Sequence, residues 1–428
     1  MRHFLTVLLL SSVFASADDS AALQRRIDET SGSLVLKAGT YQLEATLHFD
    51  LAKLGAVAVK ADGPVTLVMN GSGPALNFVG THEGTASPKS FKPETWRERM
   101  PLIEGIEIIG NHPEADGIRL QRTMQATVSR VVIRKARHAI HIVERNRNVL
   151  IADCHLYENE GVGVFLDNVN LHQINVGNSH ISYNRQGGIV VRDGQVRNLQ
   201  VGNCDIEGNM PGDTNATDTA NIFIDLRNND PKASVAEVAI TGCTIQHSAG
   251  YNKSGRLAPG GANIRMIGRA EYPVDTVNIA NNVMSDTSVS VHLNHTKDIT
   301  LTGNGFFTPG PQDLVVENSQ RVIVSGNTFN SREKFAVGGI VFRDCTSCLI
   351  ANSTFHAVRA PEACLLLERC ENTRISDCTF TDTAYGVVLD ECRRCHILDC
   401  AIAPPTEGGK PVDDRNGNGN STRLLPVE

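Results

Sequence analysis

The 428-residue sequence predicts an all-β fold: a single-stranded right-handed parallel β-helix of about twelve rungs behind a short N-terminal cap helix. Three observations carry that prediction. A four-residue phrase recurs from residue 153 to residue 402, with a small polar residue or Cys two places before an apolar one. Each unit between phrases holds three short apolar runs, such as Ile323-Val324, Phe329 and Gly339-Ile-Val-Phe342, with Gly, Asn, Asp and Ser in the gaps. No segment inside the array has the length and 3.6-residue period of a helix.

The phrase reads Asp153-Cys-His-Leu156, Asn178-Ser-His-Ile181, Asn203-Cys-Asp-Ile206, Gly242-Cys-Thr-Ile245 and Asn281-Asn-Val-Met284. It continues as Gly303-Asn-Gly-Phe306, Gly326-Asn-Thr-Phe329, Asn352-Ser-Thr-Phe355, Asp377-Cys-Thr-Phe380 and Asp399-Cys-Ala-Ile402. Successive copies lie 25, 25, 39, 39, 22, 23, 26, 25 and 22 residues apart. A unit of that length with three strands closes one turn of a solenoid whose rungs stack at roughly 4.8 Å. The second residue of the phrase then sits at a tight turn and points inward, where stacked Asn side chains bond along the rod and Cys or Ser fills the same small space. Asn159, Asn184 and Asn209, spaced by 25, read as a further turn ladder.

The remaining segments follow in order. Residues 1–17 read as a secretory signal peptide: a basic start, an apolar stretch from Phe4 to Phe14, and Ala15-Ser-Ala17 for cleavage. Residues 18–405 form the solenoid, with the cap helix and first strands in 18–50. A polar insertion at 80–101 holds the only tryptophan, Trp96. The two 39-residue spacings carry insertions at 208–220 and 247–261. Residues 406–428, rich in Pro, Gly, Asp and Asn, are expected to be a flexible tail.

Composition narrows the function. A net charge of −7 gives no basic surface for nucleic acid, and no later stretch approaches membrane length. Eleven cysteines in an exported chain ordinarily suggest disulfides. Here Cys345, Cys370 and Cys392 share one rung position, as do Cys348 with Cys395 and Cys378 with Cys400, which favours inward stacks of free thiols. The same periodicity accounts for the two CxxC pairs without a zinc ion.

The array resembles the pectate-lyase-like superfamily of right-handed β-helix proteins, with its "I-x-G-N-x-F … G-I-x-L" rung. The start agrees, since Asp18 to Ile27 resembles the family's amphipathic cap helix and Leu34 to Leu43 its first strand with Gly-x-Tyr. The likeness covers about residues 18–405. It implies a fold shared by lyases, glycoside hydrolases, epimerases, tailspikes and non-catalytic repeats, and a substrate groove along the Gly-Ile-x-Leu strands.

On those strands the residues between aliphatics point out. Asp167, Arg192, Asp225, Arg227 and Arg265 cluster on four successive rungs and are the candidate catalytic residues. Phe165, Phe223, Tyr251, Lys253, Arg256 and His292 are candidate substrate-binding residues. Two chemistries fit. A uronate lyase needs a cation or Ca²⁺ on the substrate carboxylate and a base for the adjacent proton, so the arginines are to hold the acid and Asp167 and Asp225 to supply calcium oxygens. A glycoside hydrolase needs two carboxyl groups across the scissile bond. Asp167 and Asp225, if two rungs apart in one column, stand roughly 9–10 Å apart, an inverting spacing. The Gly-His-Gly and paired Asp of polygalacturonases and the Asp-Pro-His of alginate epimerases are absent from the sequence. The expectation is therefore an exported carbohydrate-active protein, a polysaccharide lyase or glycoside hydrolase of an acidic or sulfated glycan. The competing class is a non-catalytic glycan-binding or cell-envelope scaffold. The expected partner is a polysaccharide, and the expected cofactor Ca²⁺ in the lyase case.

Overall fold

The computed structural model describes residues 17–30, 33–84, 87–211, 218–228, 230–248, 257–331 and 337–427. The chain winds into an all-parallel β-solenoid of about 15 turns. Corners built from single left-handed residues define each turn. In one turn they are Asn168, Gln173, Asn178 and Tyr183, with φ of 44°, 66°, 48° and 58°. The first residue of the recurring phrase is such a corner every time. Asp153, Asn178, Asn203, Asn281, Asn352, Asp377 and Asp399 have φ between 48° and 56°, and Gly242, Gly303 and Gly326 between 65° and 68°. Asp, Asn and Gly are the residues that bear this conformation most cheaply, which is why the phrase begins with them.

The second residue of the phrase points into the rod as expected, from Cys154 to Cys400, each at most 4% exposed. Its side chains bond from turn to turn: Asn282 Nδ2 donates to Asn304 Oδ1 at 3.1 Å and Asn304 Nδ2 to Asn327 Oδ1 at 3.0 Å. The second ladder runs Asn159, Asn184, Asn209 at 2.7 Å per step, then extends to Asn221 and Asn263 at 2.9 and 3.0 Å. Pairing matters because a buried amide left without a partner costs about 1–3 kcal/mol. Between the ladders lies a continuous apolar filling, including a stack of Phe306, Phe329, Phe355 and Phe380 at 4.5, 4.9 and 4.4 Å between centroids.

All eleven cysteines are buried free thiols. Burial pushes the Cys154 thiol up to about 11, so it stays protonated at neutral pH, donating to carbonyls such as Ala152 O at 3.2 Å.

Helix Ser20–Glu29 closes one end of the rod, burying Leu23 and Ile27 one turn apart on one face. Ser20 Oγ accepts from the backbone N–H of Glu44 and Ala45, fixing the helix to the end of the first strand.

The number of turns exceeds the expected twelve because turns at both ends lack the phrase. Strands Ser33–Leu43 and Ala58–Met69 pair near the N-terminus. Strands Val412–Arg415 and Ser421–Leu424 pair on Val387–Asp390 and His396–Ile402. The segment expected to be a flexible tail therefore carries the last turn. Asn420 explains how: its Oδ1 accepts from Cys395 N at 2.9 Å and its Nδ2 donates to Cys392 O at 3.2 Å, continuing the inward ladder. Residues 1–16, most of the expected signal peptide, lie outside the described residues.

Candidate functional site

Register between turns decides which outward side chains meet. Asp167, Arg192 and Asp225 pair directly, so they occupy one column on three successive turns. A neighbouring column holds Arg119, His141, Phe165, Val190, Phe223, Arg265 and His292.

Three of the sequence-predicted site residues are not surface groups. Phe165, Phe223 and Arg265 are 3%, 7% and 4% exposed. The two rings belong to a second apolar cluster, outside the rod's interior, with Val162, Val190, Ala220, Ala262 and Ile267. Alternation correctly puts them on the outer side of the strand. Apolar neighbours cover that side on these turns, so neither ring offers a free face for a sugar.

Arg265 donates to Asp218 Oδ1 at 2.6 Å and Gly260 O at 2.9 Å. Burial lowers its pKa. Arg227 forms a bidentate pair with Asp225 at 2.8 and 2.9 Å and reaches Asp218 at 3.1 Å. Asp218, Asp225, Arg227 and Arg265 thus make a closed ion-pair network that pins the start of the strand Thr219–Asp225. His292 lies apart, its Nε2 3.2 Å from Glu317 Oε2 in a ladder that continues to Arg343 and Glu368. Tyr251, Lys253 and Arg256 lie outside the described residues.

Asp167 and Arg192 belong to a different constellation, spread over four successive turns and completed by Asp116, Arg137, His138 and His141. Asp116 is 2% exposed and receives Arg137 Nε and Nη2 at 2.8 and 2.7 Å and the His138 backbone N–H at 3.1 Å. His141 stands between two carboxylates. Its Nδ1 is 3.6 Å from Asp116 Oδ2, long for a hydrogen bond but close for a charge, and its Nε2 is 3.2 Å from Asp167 Oδ2. Phe165 is the platform beneath. His141 stacks on its ring at 5.2 Å and 10°, His138 leans on it at 4.9 Å, and the Arg192 guanidinium sits 4.9 Å from its centroid. These polar groups cover the ring together with the apolar cluster.

The electrostatics separate the two histidines. Burial drives His138 down to about 4, overriding the pull of Asp116, so its ring is neutral at pH 7. The Val162 backbone N–H donates to His138 Nδ1 at 3.1 Å, which leaves Nε2 as the N–H of the neutral ring. Burial opposes the charged form of His141 as well, but its contacts with Asp116 and Asp167 outweigh burial and raise it. Burial likewise works against the Asp116 carboxylate, yet the hydrogen bonds from Arg137, with His141 close beside it, hold it well below the usual range. His141 lowers Asp167 in turn, through its hydrogen bond and its charge, with Arg192 adding to the effect. Arg192 is exposed and forms no ion pair among the described residues. The arrangement offers a clamped imidazole, a half-exposed carboxylate and a free guanidinium on one face.

Asp116 and His138 have the wrong parity for outward residues, since Asp116 precedes Ile118 by two and His138 precedes Ile140 by two. Alternation holds within a strand and fails at its entry, where the chain leaves the turn. The one signal in the sequence is Arg137-His-Ala-Ile-His141, two histidines bracketing an inward pair.

Two family models match parts of the chain. Residues 97–230 match the right handed beta helix region, and residues 260–401 match the family described as periplasmic copper-binding protein (NosD). No curated protein matches. Among solved structures, the chain is similar to the A-module of the Azotobacter vinelandii mannuronan C-5 epimerase AlgE4, at 15% identity over 95% of each chain and a TM-score of 0.45. It is similar to a tailspike protein from Pseudomonas phage LKA1, at 12% identity over 90% of this chain and 74% of that one, TM-score 0.45. It is also similar to a GH87 alpha-1,3-glucanase from Streptomyces thermodiastaticus, at 12% identity over 95% and 66%, TM-score 0.41. Likeness at that level says nothing of activity. With the solenoid and the matched region together, the chain is a right-handed parallel β-helix repeat protein.

Proposed function

We propose that this right-handed parallel β-helix is an exported carbohydrate-active enzyme, a polysaccharide lyase that acts on an acidic or sulfated glycan at the Asp116–His141–Asp167 cluster. One observation carries the reading: His141, held between two carboxylates, stands beside the exposed Arg192, which forms no ion pair among the described residues. β-Elimination from a uronate needs those two parts. Arg192 pairs with the substrate carboxylate and spreads the charge that develops when the adjacent C–H is broken. The Asp167–His141 pair takes that proton, with Asp116 fixing the ring and favouring its charged form. The electron pair forms the C=C bond, the glycosidic C–O bond breaks, and the imidazolium returns a proton to the leaving oxygen.

A hydrolase is supported less well. Its general acid needs a raised carboxyl pKa, whereas Asp116 and Asp167 are both lowered and Asp225 is engaged by Arg227. Calcium remains an arm of the test, with Asp167 and Asp225 as the candidate oxygens. No group of three His, Cys, Asp or Glu side chains among the described residues converges as a metal site, so no step is routed through a metal. The copper-binding description of one matched family draws no support from the thiols, which are all buried inside the rod. No helix among the described residues is long and apolar enough to cross a membrane, and export rests on the sequence of residues 1–17.

The test is turnover of uronic, sulfated and neutral polysaccharides by the purified protein, with and without Ca²⁺. Ultraviolet absorbance reports unsaturated ends, and a reducing-sugar assay reports any cleavage. Unsaturated product that disappears in His141→Gln and Arg192→Ala supports the lyase. Reducing ends without unsaturation point to a hydrolase. Glycan binding with no product from any polymer moves the assignment to a non-catalytic binding scaffold.

A further inference from the structure

The net charge of −7 conceals a local basic face, and beside it lies a polar concavity. Past the corner at Asn168 the chain runs along a short side to a second corner. Arg147, His172 and Arg197 pair in register on that side, with Arg145 two residues before Arg147 on the same face. No carboxylate among the described residues forms an ion pair with Arg145, His172 or Arg197; the Arg197 guanidinium reaches only Val196 O, Ser234 O and Ser234 Oγ. The crowding is visible in the electrostatics. Burial and the Arg147 charge lower Arg145, while burial and the charges of Arg145, Arg197 and Arg147 lower His172. Like charges gathered on one face leave a standing field that an anion relieves.

The adjoining corner is uncharged on the same turns. Gln125, Asn148, Gln173 and Asn198 stack there, all with left-handed backbone (φ 53° to 66°), and they line a groove of about 610 Å³. Asn148 Nδ2 donates to Gln173 Oε1 at 2.6 Å, which fixes the amides in place. Each amide carries two donor hydrogens and an acceptor oxygen with two lone pairs, so capacity remains for hydroxyl groups. Four turns span roughly 14 Å at the inter-strand spacing, the length of a short oligosaccharide. The neutral run ends at Glu237 on the next turn, engaged by Asn198 Nδ2 at 2.6 Å.

The polar insertion contributes Met100 to the wall of the groove. It is held down by Glu98, 2% exposed, which accepts from Thr81 N and Thr81 Oγ1 at 2.7 Å each, and by Met100 N donating to Met124 O at 3.1 Å. Phe91 packs between Trp96 at 5.3 Å and the Arg147 guanidinium at 4.9 Å. Apolar surface faces outward along this edge: Met100 and Leu150, which line the groove, are 62% and 46% exposed, and Trp96 is 38% exposed. An apolar edge, neutral amides that match hydroxyls and an adjacent row of guanidinium groups together describe a site for a sugar chain bearing carboxylate or sulfate.

We propose that this groove is a binding site for an anionic oligosaccharide, separate from the Asp116–His141–Asp167 cluster and lying around the corner from it on the same turns. The proposal stands whether or not that cluster is a lyase. Arg145 and Arg197 hold the charged substituents, the corner amides bind ring hydroxyls, and Met100, Leu150 and Trp96 lie against the apolar faces. A nucleic acid would meet the same arginines but finds a single indole and a row of amides in place of stacked aromatic platforms.

The full mature protein is titrated calorimetrically with a chondroitin sulfate hexasaccharide, a hexagalacturonate, a neutral cellohexaose and a single-stranded oligonucleotide, with tryptophan emission read in parallel. The expected result is saturable binding of at least one anionic hexasaccharide, with a shift in Trp96 emission. Kd should rise at least tenfold in Arg145→Ala and in Gln173→Ala. Gln173 is exposed at a corner, so its variant keeps the test valid if an arginine variant is unstable. The proposal is overturned by no binding of either anionic hexasaccharide, by affinity unmoved in both groove variants, or by equal affinity for the oligonucleotide. Loss of turnover in His141→Gln with binding intact separates the fate of the lyase reading from that of the groove.

Discussion

Asp313 gives the most quantitative test of the electrostatic reasoning. It lies in the strand Gln312–Glu317, is fully buried, and receives a single hydrogen bond, from Gly339 N to Oδ2 at 3.1 Å. Its other oxygen is buried without a partner among the described residues. Burial outweighs that one bond and raises the carboxyl from 3.8 to about 7. Between roughly pH 4 and 7 the folded chain keeps this proton and the unfolded chain releases it, so stability falls as pH rises through that window, and the full loss is present above it. Three pKa units at 1.36 kcal/mol each make that loss about 4 kcal/mol. Asp313→Asn keeps the shape and the acceptor for Gly339 N but cannot ionise. Urea unfolding followed by circular dichroism at pH 4.5, 6 and 8 measures both proteins; where unfolding is irreversible, melting temperatures serve. The variant should gain on the wild type steadily toward pH 8, by a few kcal/mol in all. A difference that stays flat with pH, or reverses, refutes the reasoning. Cys364 is no rival for the effect, because burial and the Asp313 charge push its thiol far up and it does not titrate there.

Further outcomes follow from the same geometry. Asp116→Asn should cut turnover of the active polymer by about 10²-fold or more and lower the His141 midpoint read by NMR, since one of the two charges favouring the imidazolium is gone. Asp218→Ala strands the buried Arg265 and should cost about 3 kcal/mol of stability by denaturant unfolding, whereas Arg265→Met, which removes the charge and suits the apolar cluster, should be nearly neutral. Asn184→Ala interrupts the amide ladder between Asn159 and Asn209 and should cost about 2 kcal/mol by the same assay. Ellman's reagent should find no reactive thiol in the native protein and all eleven after unfolding in guanidinium; rapid native labelling of several would contradict the inward stacks.

What the sequence determined by itself is the part of the structure set by short-range backbone demands. A corner with positive φ needs Asn, Asp or Gly, the next side chain must fit a narrow interior, and the apolar partner two places on must face the core. Those rules repeat on every turn, so the period, the inward thiols and amides, and the column of Asp167, Arg192 and Asp225 were all legible. End turns without the phrase were not, because Val412–Arg415 and Ser421–Leu424 are exposed edge strands with little apolar signal, fixed mainly by pairing and by Asn420.

The chemistry of the site was decided by tertiary structure. Phe165, Arg265 and Arg192 all point outward, but what covers the first two is something alternation cannot see. Asp116 and His138 escaped because they stand at strand entries, where the turn resets the direction of the side chain. The groove joins an insertion at 80–101 to corner residues between 125 and 198, and nothing local in either segment announces the other. Backbone geometry is a property of neighbours along the chain and can be read from it. Burial, charge state and affinity depend on neighbours in space, and in a solenoid the folded stack alone assigns those neighbours.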